Sequence, residues 1–174
     1  MYQAKQRGKG GYQVFDSATA RTARARHQEL EELRRGLARG EFELRYQPQV
    51  NMCSGELLGV EALLRWCHPE RGETAPDAFI PLVESDEIAI DVGRWVIASA
   101  LAQQRRWRSA GLHVPMSINV SPRHLQHPSF IEDLEHHVNG TERLEADDLK
   151  LELLESSALE DIEAVSTTIA RCRR

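Results

Sequence analysis

The chain has 174 residues, 41% of them hydrophobic and 28% charged, a composition typical of one globular domain with a sizeable core. Its formal net charge of −5 disfavours a protein that coats DNA or RNA, because binding to phosphate backbones requires a surplus of Lys and Arg. Its 3 cysteines are widely spaced and form no CxxC pair, which predicts neither a disulfide framework nor a zinc site and favours a reducing, cytoplasmic setting.

The first 40 residues predict a short leading segment followed by a helix. Residues 1–16 contain a Gly-rich turn and a short strand, which is too little to fold alone. Residues 17–40 are rich in Ala, Arg and Glu and end in Gly, so they predict a linker helix with a solvated basic face. Its apolar stripe consists of Leu30, Leu33 and Leu37.

Two strands come next, and their close spacing predicts an antiparallel hairpin. Apolar and polar residues alternate over residues 42–50, which is the pattern of a half-buried strand, and Pro48 indicates a strand end or an edge. A turn at residues 51–55 leads into a second strand, predicted over residues 57–66.

The remainder alternates helix and strand. A helix is predicted from an N-cap at Asp91 through Trp107, with a stop at Gly111. A strand over 114–120, a helix over 129–138, a strand over 149–154 and a helix from residue 157 follow, the last with a capping box formed by Ser157 and Glu160. This alternation favours parallel strands joined by crossover helices, and hence an α/β fold.

Side-chain alternation gives three of these strands one apolar face and one polar face. The polar faces carry Glu61, Asn119 and Glu152, and charged groups seldom face inward unless they are paired or bound to metal. Two carboxylates and an amide oxygen are hard ligands that suit Mg²⁺ or Mn²⁺ rather than zinc, and such ions commonly hold phosphate oxygens. Taken singly, each residue has the alternative of a solvated position at a strand end.

Histidine offers a second, weaker metal hypothesis. His124 and His127 have the H-x-x-H spacing, but Pro122 and Pro128 beside them predict a loop rather than a helix that would present both rings on one face. The adjacent His136 and His137 are expected on an exposed helix face. The sequence therefore favours the carboxylate and amide set over histidine.

Five ordered motifs then resemble those of EAL domains, a bacterial family of cyclic di-GMP phosphodiesterases. This ordered set is far more specific than the three-letter EAL signature. In chain order the motifs are Tyr46-Gln47-Pro48, Gly59-Val60-Glu61-Ala62-Leu63-Leu64-Arg65-Trp66, Phe79-Ile80-Pro81-Leu82, Ser117-Ile118-Asn119-Val120-Ser121 and Leu151-Glu152-Leu153-Leu154-Glu155-Ser156.

The resemblance implies a TIM-like (β/α) barrel with an antiparallel first strand, and hydrolysis of cyclic di-GMP to linear pGpG with Mg²⁺ or Mn²⁺ as cofactor. Residues that match family positions carry the expected roles. The matched metal ligands and catalytic residues are Glu61, Asn119 and Glu152; Glu155 matches a catalytic glutamate that steadies a loop; and the matched substrate-binding residues are Gln47, Leu63 and Arg65.

The same resemblance predicts the domain organisation. Residues 1–16 resemble the C-terminal tail of a GGDEF domain, residues 17–40 form the linker helix, and residues 41–174 form the N-terminal half of an EAL domain. The fold expected is a partial TIM-like barrel, because the aspartate pair and catalytic lysine of the family do not occur before Arg174. Free strand edges in such a half-barrel invite pairing with another chain, so a homodimer through these edges or through the EAL domain is an open alternative.

The leading hypothesis is a fragment of a metal-dependent cyclic di-GMP phosphodiesterase that is inactive by itself. A non-catalytic cyclic di-GMP receptor or interaction module, and a truncated gene product without activity, stay open. The ligand expected is cyclic di-GMP and not a DNA or RNA polymer. We expect no membrane span, since no apolar run reaches the roughly 20 residues that one requires; a membrane tether elsewhere in a longer parent protein is left open.

Overall fold

A computed structural model describes residues 17–138, 148–153 and 162–172 of the chain. A single 3₁₀ turn, Pro76–Ala78, precedes the second helix. In chain order the elements are α1 (Ser17–Arg39), β1 (Phe42–Val50), β2 (Leu57–His68), β3 (Gly72–Thr74), α2 (Ile80–Glu84), α3 (Ile88–Ser109), β4 (Met116–Asn119), α4 (Pro122–Leu125), α5 (Phe130–Val138), β5 (Leu149–Glu152) and α6 (Ile162–Cys172).

One mixed sheet organises the fold, with the strand order β1-β2-β4-β5. β1 and β2 form the predicted antiparallel hairpin, while β2 pairs in parallel with β4 and β4 in parallel with β5. The short strand β3 pairs with the end of β2 in antiparallel orientation. The α/β fold with an antiparallel first strand is therefore confirmed.

The core lies between the sheet and the helices on one side of it. Alternate residues of β2 are buried on this side, and so are Met116 and Ile118 of β4. They pack with a buried stripe of α3 that includes Val92, Val96 and Ala100, the face predicted from helical spacing. The other face of the sheet is left for polar side chains.

The start of α3 differs from the predicted N-cap at Asp91. The helix begins at Ile88, and the Asp86 carboxylate accepts a hydrogen bond from the backbone N–H of Ile88 at 3.0 Å. Ile88 and Ala89 are buried, so the apolar stripe extends a full turn before Asp91 and adds burial to that turn. The predicted stop is confirmed, because Gly111 has a φ of +82° and Leu112 N–H reaches the Trp107 carbonyl at 2.8 Å.

α1 occupies the stretch for which the sequence predicts a helix. It packs against α2 and α3 and buries Leu30 and Leu33 in the core. Glu32 adds polar contacts from the same helix. Its carboxylate lies 3.1 Å from His68 Nε2 and 2.7 Å from Arg71 Nη2, which ties α1 to the turn between β2 and β3. The hydrogen bond with His68 is the main cause that lowers the pKa of Glu32.

Several short elements were not predicted. β3 and α2 lie in the segment read as a Pro-containing loop, and α4 lies where a loop was expected around His124. α4 forms because Pro122 stands in its first turn and the Ser121 hydroxyl accepts the His124 N–H at 3.2 Å. The predicted capping box of Ser157 and Glu160 lies outside the described residues.

His124 is fully buried in this structure. Its ring packs edge-to-face on Phe130 with centroids 5.0 Å apart, and it lies so close to Gly93 that a Cβ there would come within 2.2 Å of Nδ1. Neither ring nitrogen has a hydrogen-bond partner among the described residues. Burial lowers the pKa of His124 from 6.5 to about 4, so the ring is neutral near pH 7.

None of the helices in the described ranges is both long enough and apolar enough to cross a membrane. Cys53, Cys67 and Cys172 are all free thiols.

The burial of His124 predicts an acid-dependent loss of stability. The unfolded chain binds a proton near the ordinary pKa of 6.5 and the folded chain near 4, so stability that is present above pH 6.5 is lost as the pH falls toward 4. The shift corresponds to about 3 kcal/mol. Urea unfolding of wild type and His124→Leu across this range should show a shallower pH dependence in the variant, and equal slopes would contradict the assignment.

Candidate functional site

The polar face of the sheet lies opposite the helices. It carries side chains of four strands that alternate with the buried ones. They are Glu43, Arg45 and Gln47 of β1, Glu61, Leu63 and Arg65 of β2, Ser117 and Asn119 of β4, and Lys150 and Glu152 of β5.

Strand register places the predicted metal ligands on two levels of this face. Glu61 is the register partner of Ser117, whereas Asn119 lies two residues further along β4 and pairs with Glu152. β2 was predicted over residues 57–66 and extends two residues further, to His68, because its later residues pair with β1 and β3 after the pairing with β4 has ended.

A hydrogen bond closes the gap between the two levels. Asn119 Nδ2 donates to Glu61 Oε1 at 2.9 Å, and Glu61 and Glu152 are half-buried residues of the strands on either side of β4. Neighbouring strands lie about 4.8 Å apart, so the Glu152 side chain starts close to the amide. The hydrogen bond thus joins Asn119 to Glu61, and the register places Glu152 beside Asn119 on the next strand.

The three side chains offer two carboxylates and one amide, which are hard oxygen donors. Mg²⁺ is commonly held by one or two carboxylates and keeps several of its waters, so this set fits Mg²⁺ or Mn²⁺. Within the described ranges, no group of three or more His, Cys, Asp or Glu side chains is placed to hold a metal ion. The fit therefore depends on the amide oxygen of Asn119 as the third donor.

The predicted substrate-binding residues line the same face. Gln47 is exposed and lies directly opposite Glu61 across the hairpin, and Leu63 is half-buried one step further along β2. Arg65 Nη1 donates to the carbonyl of Leu64 at 2.9 Å. These three residues are contiguous with the Glu61 and Asn119 pair, while Glu155 lies outside the described residues.

Two charged residues of the site were missed by sequence reasoning. Glu73, on β3, lies 2.8 Å from Arg45 Nη2 and 3.7 Å from Arg65 Nε. The hydrogen bond from Arg45 to Glu73 is the main cause that raises the pKa of Arg45. The sequence does contain a signal for the β2–β3 hairpin, because Pro69 and Gly72 follow a predicted strand at the spacing of a tight turn. In the structure Gly72 adopts a positive φ of +73°.

The histidine hypothesis gains no support from the geometry. His124 is enclosed against Gly93 and Phe130, whereas the His127 Nδ1 lies 2.8 Å from the Ser129 hydroxyl. His136 is exposed as expected, but His137 is half-buried, and burial is the main cause that lowers its pKa.

Comparison with protein families gives a match to the model described as EAL domain over residues 30–174. The bifunctional diguanylate cyclase/cyclic di-GMP phosphodiesterase MucR of Pseudomonas aeruginosa is 37% identical over 168 residues, which is 94% of this chain and 24% of MucR. The oxygen sensor protein DosP of Escherichia coli is 37% identical over 136 residues, covering 76% of this chain and 17% of DosP. The chain thus spans a quarter or less of the length of these relatives.

Solved structures agree with the fold. The PaMucR phosphodiesterase in complex with c-di-GMP has a TM-score of 0.77 and 32% identity, over 84% of this chain and 59% of that one. An EAL enzyme in a form bound to cAMP and cyclic di-GMP has a TM-score of 0.78 and 29% identity, over 87% of this chain and 42% of that one. The chain therefore has the fold of a part of these TIM-like barrels.

The hydrogen bond between Asn119 and Glu61 allows the donor set to be tested without an activity assay. Asn119→Asp places a second carboxylate at this contact, and like-charge repulsion should lower the free energy of unfolding by about 1 kcal/mol in EDTA. A divalent cation between the carboxylates should reverse the loss.

Melting curves with and without Mg²⁺ measure this effect. Asn51→Asp, in the hairpin turn where the side-chain oxygen accepts two backbone N–H groups, is the matched control and should show no Mg²⁺ dependence. An Asn119→Asp variant that Mg²⁺ fails to stabilise would rule out a cation site here.

Proposed function

Because this chain belongs to the EAL-domain family, we propose that it contributes part of the active site of a metal-dependent phosphodiesterase that hydrolyses cyclic di-GMP to linear pGpG in bacterial signalling. The observation that carries the proposal is the hydrogen bond between Glu61 and Asn119 beside Glu152, on the polar face of the sheet. The similarity of nearly the whole chain to MucR, a bifunctional diguanylate cyclase/cyclic di-GMP phosphodiesterase, supports this substrate.

The residues of the polar face have different roles, according to their chemistry. Glu61, Asn119 and Glu152 would hold Mg²⁺ or Mn²⁺, after rotation of the Asn119 amide to present its oxygen. When bound, such an ion supplies charge neutralisation at the phosphodiester and a more acidic water. Arg65 binds and orients a phosphate oxygen through its guanidinium, and Gln47 contacts the group beside it.

Leu63 has a different role on the same face. It separates the carboxylate of Glu61 from the guanidinium of Arg65 along β2 and provides an apolar surface between them. A ribose or guanine that packs there excludes water from the phosphodiester. Binding geometry would thus come from β1 and β2, and the cation from β2, β4 and β5.

We also propose that residues 41–174 form the N-terminal half of the EAL barrel, that residues 17–40 are an interdomain linker helix, and that residues 1–16 end a GGDEF domain. An eight-stranded barrel needs about 250 residues. The strands of the described part leave one edge of β1 and one edge of β5 unpaired. The 174-residue chain by itself is therefore expected to leave cyclic di-GMP intact.

Hydrolysis by the complete protein that contains this sequence tests the proposal. With Mn²⁺, cyclic di-GMP should be converted to pGpG, and Glu61→Gln should lower the rate by at least about 100-fold because a ligand of the cation is lost. Glu56→Gln, in the exposed turn of the hairpin, is the matched control and should retain the wild-type rate. Chromatographic separation of the two nucleotides measures the reaction.

Two other outcomes are informative. Binding of cyclic di-GMP without turnover in any divalent cation would replace the enzyme by a receptor. Absence of both binding and turnover would reject cyclic di-GMP as the ligand.

A further inference from the structure

Four charged side chains form a cluster at one end of the polar face, beyond the Glu61 and Asn119 pair. This Arg–Glu cluster consists of Glu43, Arg45, Arg65 and Glu73. Its charges cancel, and Glu73 contacts both arginines, with Oε2 at 2.8 Å from Arg45 and Oε1 at 3.7 Å from Arg65. Glu43 forms an ion pair with Arg45 at 3.3 Å but none with Arg65, its register partner across the hairpin.

The position of Glu73 follows from the short strand β3. β3 pairs with the end of β2 so that Glu73 lies opposite Cys67, two residues beyond Arg65 and on the same face. Carboxylates near Cys67 raise the pKa of its thiol, after burial as the first cause. The turn before β3 is held from the helix side by Glu32, which binds Arg71 and His68.

We propose that Glu73 is a positioning residue that holds the guanidinium of Arg65 in the orientation that binds the substrate phosphate, with Arg45 as the anchor of Glu73. The proposal rests on the proposed function for the identity of the ligand. Arg65 has two polar contacts: Nη1 donates to the carbonyl of Leu64 at 2.9 Å, and Nε forms an ion pair with Glu73 Oε1 at 3.7 Å. Within the described residues, the remaining nitrogen, Nη2, makes no hydrogen bond or ion pair of its own.

A positioning role and a purely electrostatic role of Glu73 predict opposite changes in ligand affinity for Glu73→Gln. A carboxylate that only neutralised nearby cations would weaken binding of a dianionic dinucleotide, so Glu73→Gln would tighten binding. A carboxylate that holds Arg65 removes the cost of ordering a long side chain on binding, so its loss should weaken binding about three- to tenfold. Arg65 is mostly buried, with 22% of its side chain exposed, which favours the second effect.

A purely structural role of Glu73 would be seen as a lower melting temperature of Glu73→Gln. Ion pairs with exposed partners contribute little to stability, and the Glu73 side chain is 47% exposed. Glu73→Gln should therefore leave the melting temperature unchanged. An effect on binding without an effect on melting separates positioning from folding.

The first measurement requires no substrate. The ¹⁵N order parameter of Arg65 Nε, measured by NMR on the full chain, should fall in Glu73→Gln and stay at the wild-type value in Glu43→Gln. Glu43→Gln is the matched control because it removes the same charge from the same cluster, from the position opposite Arg65 on β1, without removing an ion pair to Arg65. An unchanged Arg65 order parameter in Glu73→Gln would overturn the proposal.

The second measurement is calorimetric titration of cyclic di-GMP into the complete protein that contains the chain. Glu73→Gln should raise the Kd three- to tenfold in the wild-type background and leave it unchanged in the Arg65→Gln background. Tighter binding, or an equal effect in both backgrounds, would overturn the positioning role. A lower Arg65 order parameter in a protein that binds no cyclic di-GMP would support the contact and reject the proposed function instead.

Discussion

The parallel register of β2, β4 and β5 is the constraint on which the candidate site depends. It sets Glu61 opposite Ser117 and Asn119 opposite Glu152, and only this alignment lets the Asn119 amide reach Glu61. A slip of one residue would turn every side chain of a strand to the other face. Burial of Met116 and Ile118 against α3 opposes such a slip, so core packing holds the polar face in place.

The two faces of β2 show how the same strand serves structure and function. Its helix side carries buried Val60, Ala62 and Leu64, while its polar side carries the candidate ligand and Arg65. The β2–β3 hairpin likewise has a helix side and a polar side. Glu32 of α1 holds its turn from outside, and Glu73 reaches inward from its second strand to Arg65.

The sequence predicted much of this arrangement because period-two alternation determines the face of each strand residue. Alternation placed Glu61, Asn119 and Glu152 on one face, and helical spacing identified the buried side of α3. Alternation does not tell which residues of neighbouring strands lie side by side. The offset of Glu61 from Asn119 by two residues is therefore seen only in the strand register.

Local sequence patterns did not predict the elements whose formation depends on tertiary contacts. A strand as short as β3 has too few residues for a period, and it forms because the end of β2 leaves an edge to pair with. Asp91 has the chemistry of an N-cap, but burial of Ile88 and Ala89 begins α3 a turn earlier. The sequence around His124 predicted a loop, and the enclosure of its ring depends on Gly93 of α3, 31 residues earlier in the chain, as well as on Phe130 of the next helix.

The most direct test of the site is the position of Mn²⁺ in crystals of this protein, located by anomalous diffraction. We expect a peak within bonding distance of the carboxylates of Glu61 and Glu152 and of the amide oxygen of Asn119, which must turn away from its hydrogen bond to Glu61. A peak elsewhere, or none at millimolar Mn²⁺ with that hydrogen bond intact, would contradict the assignment of these three residues as a cation site.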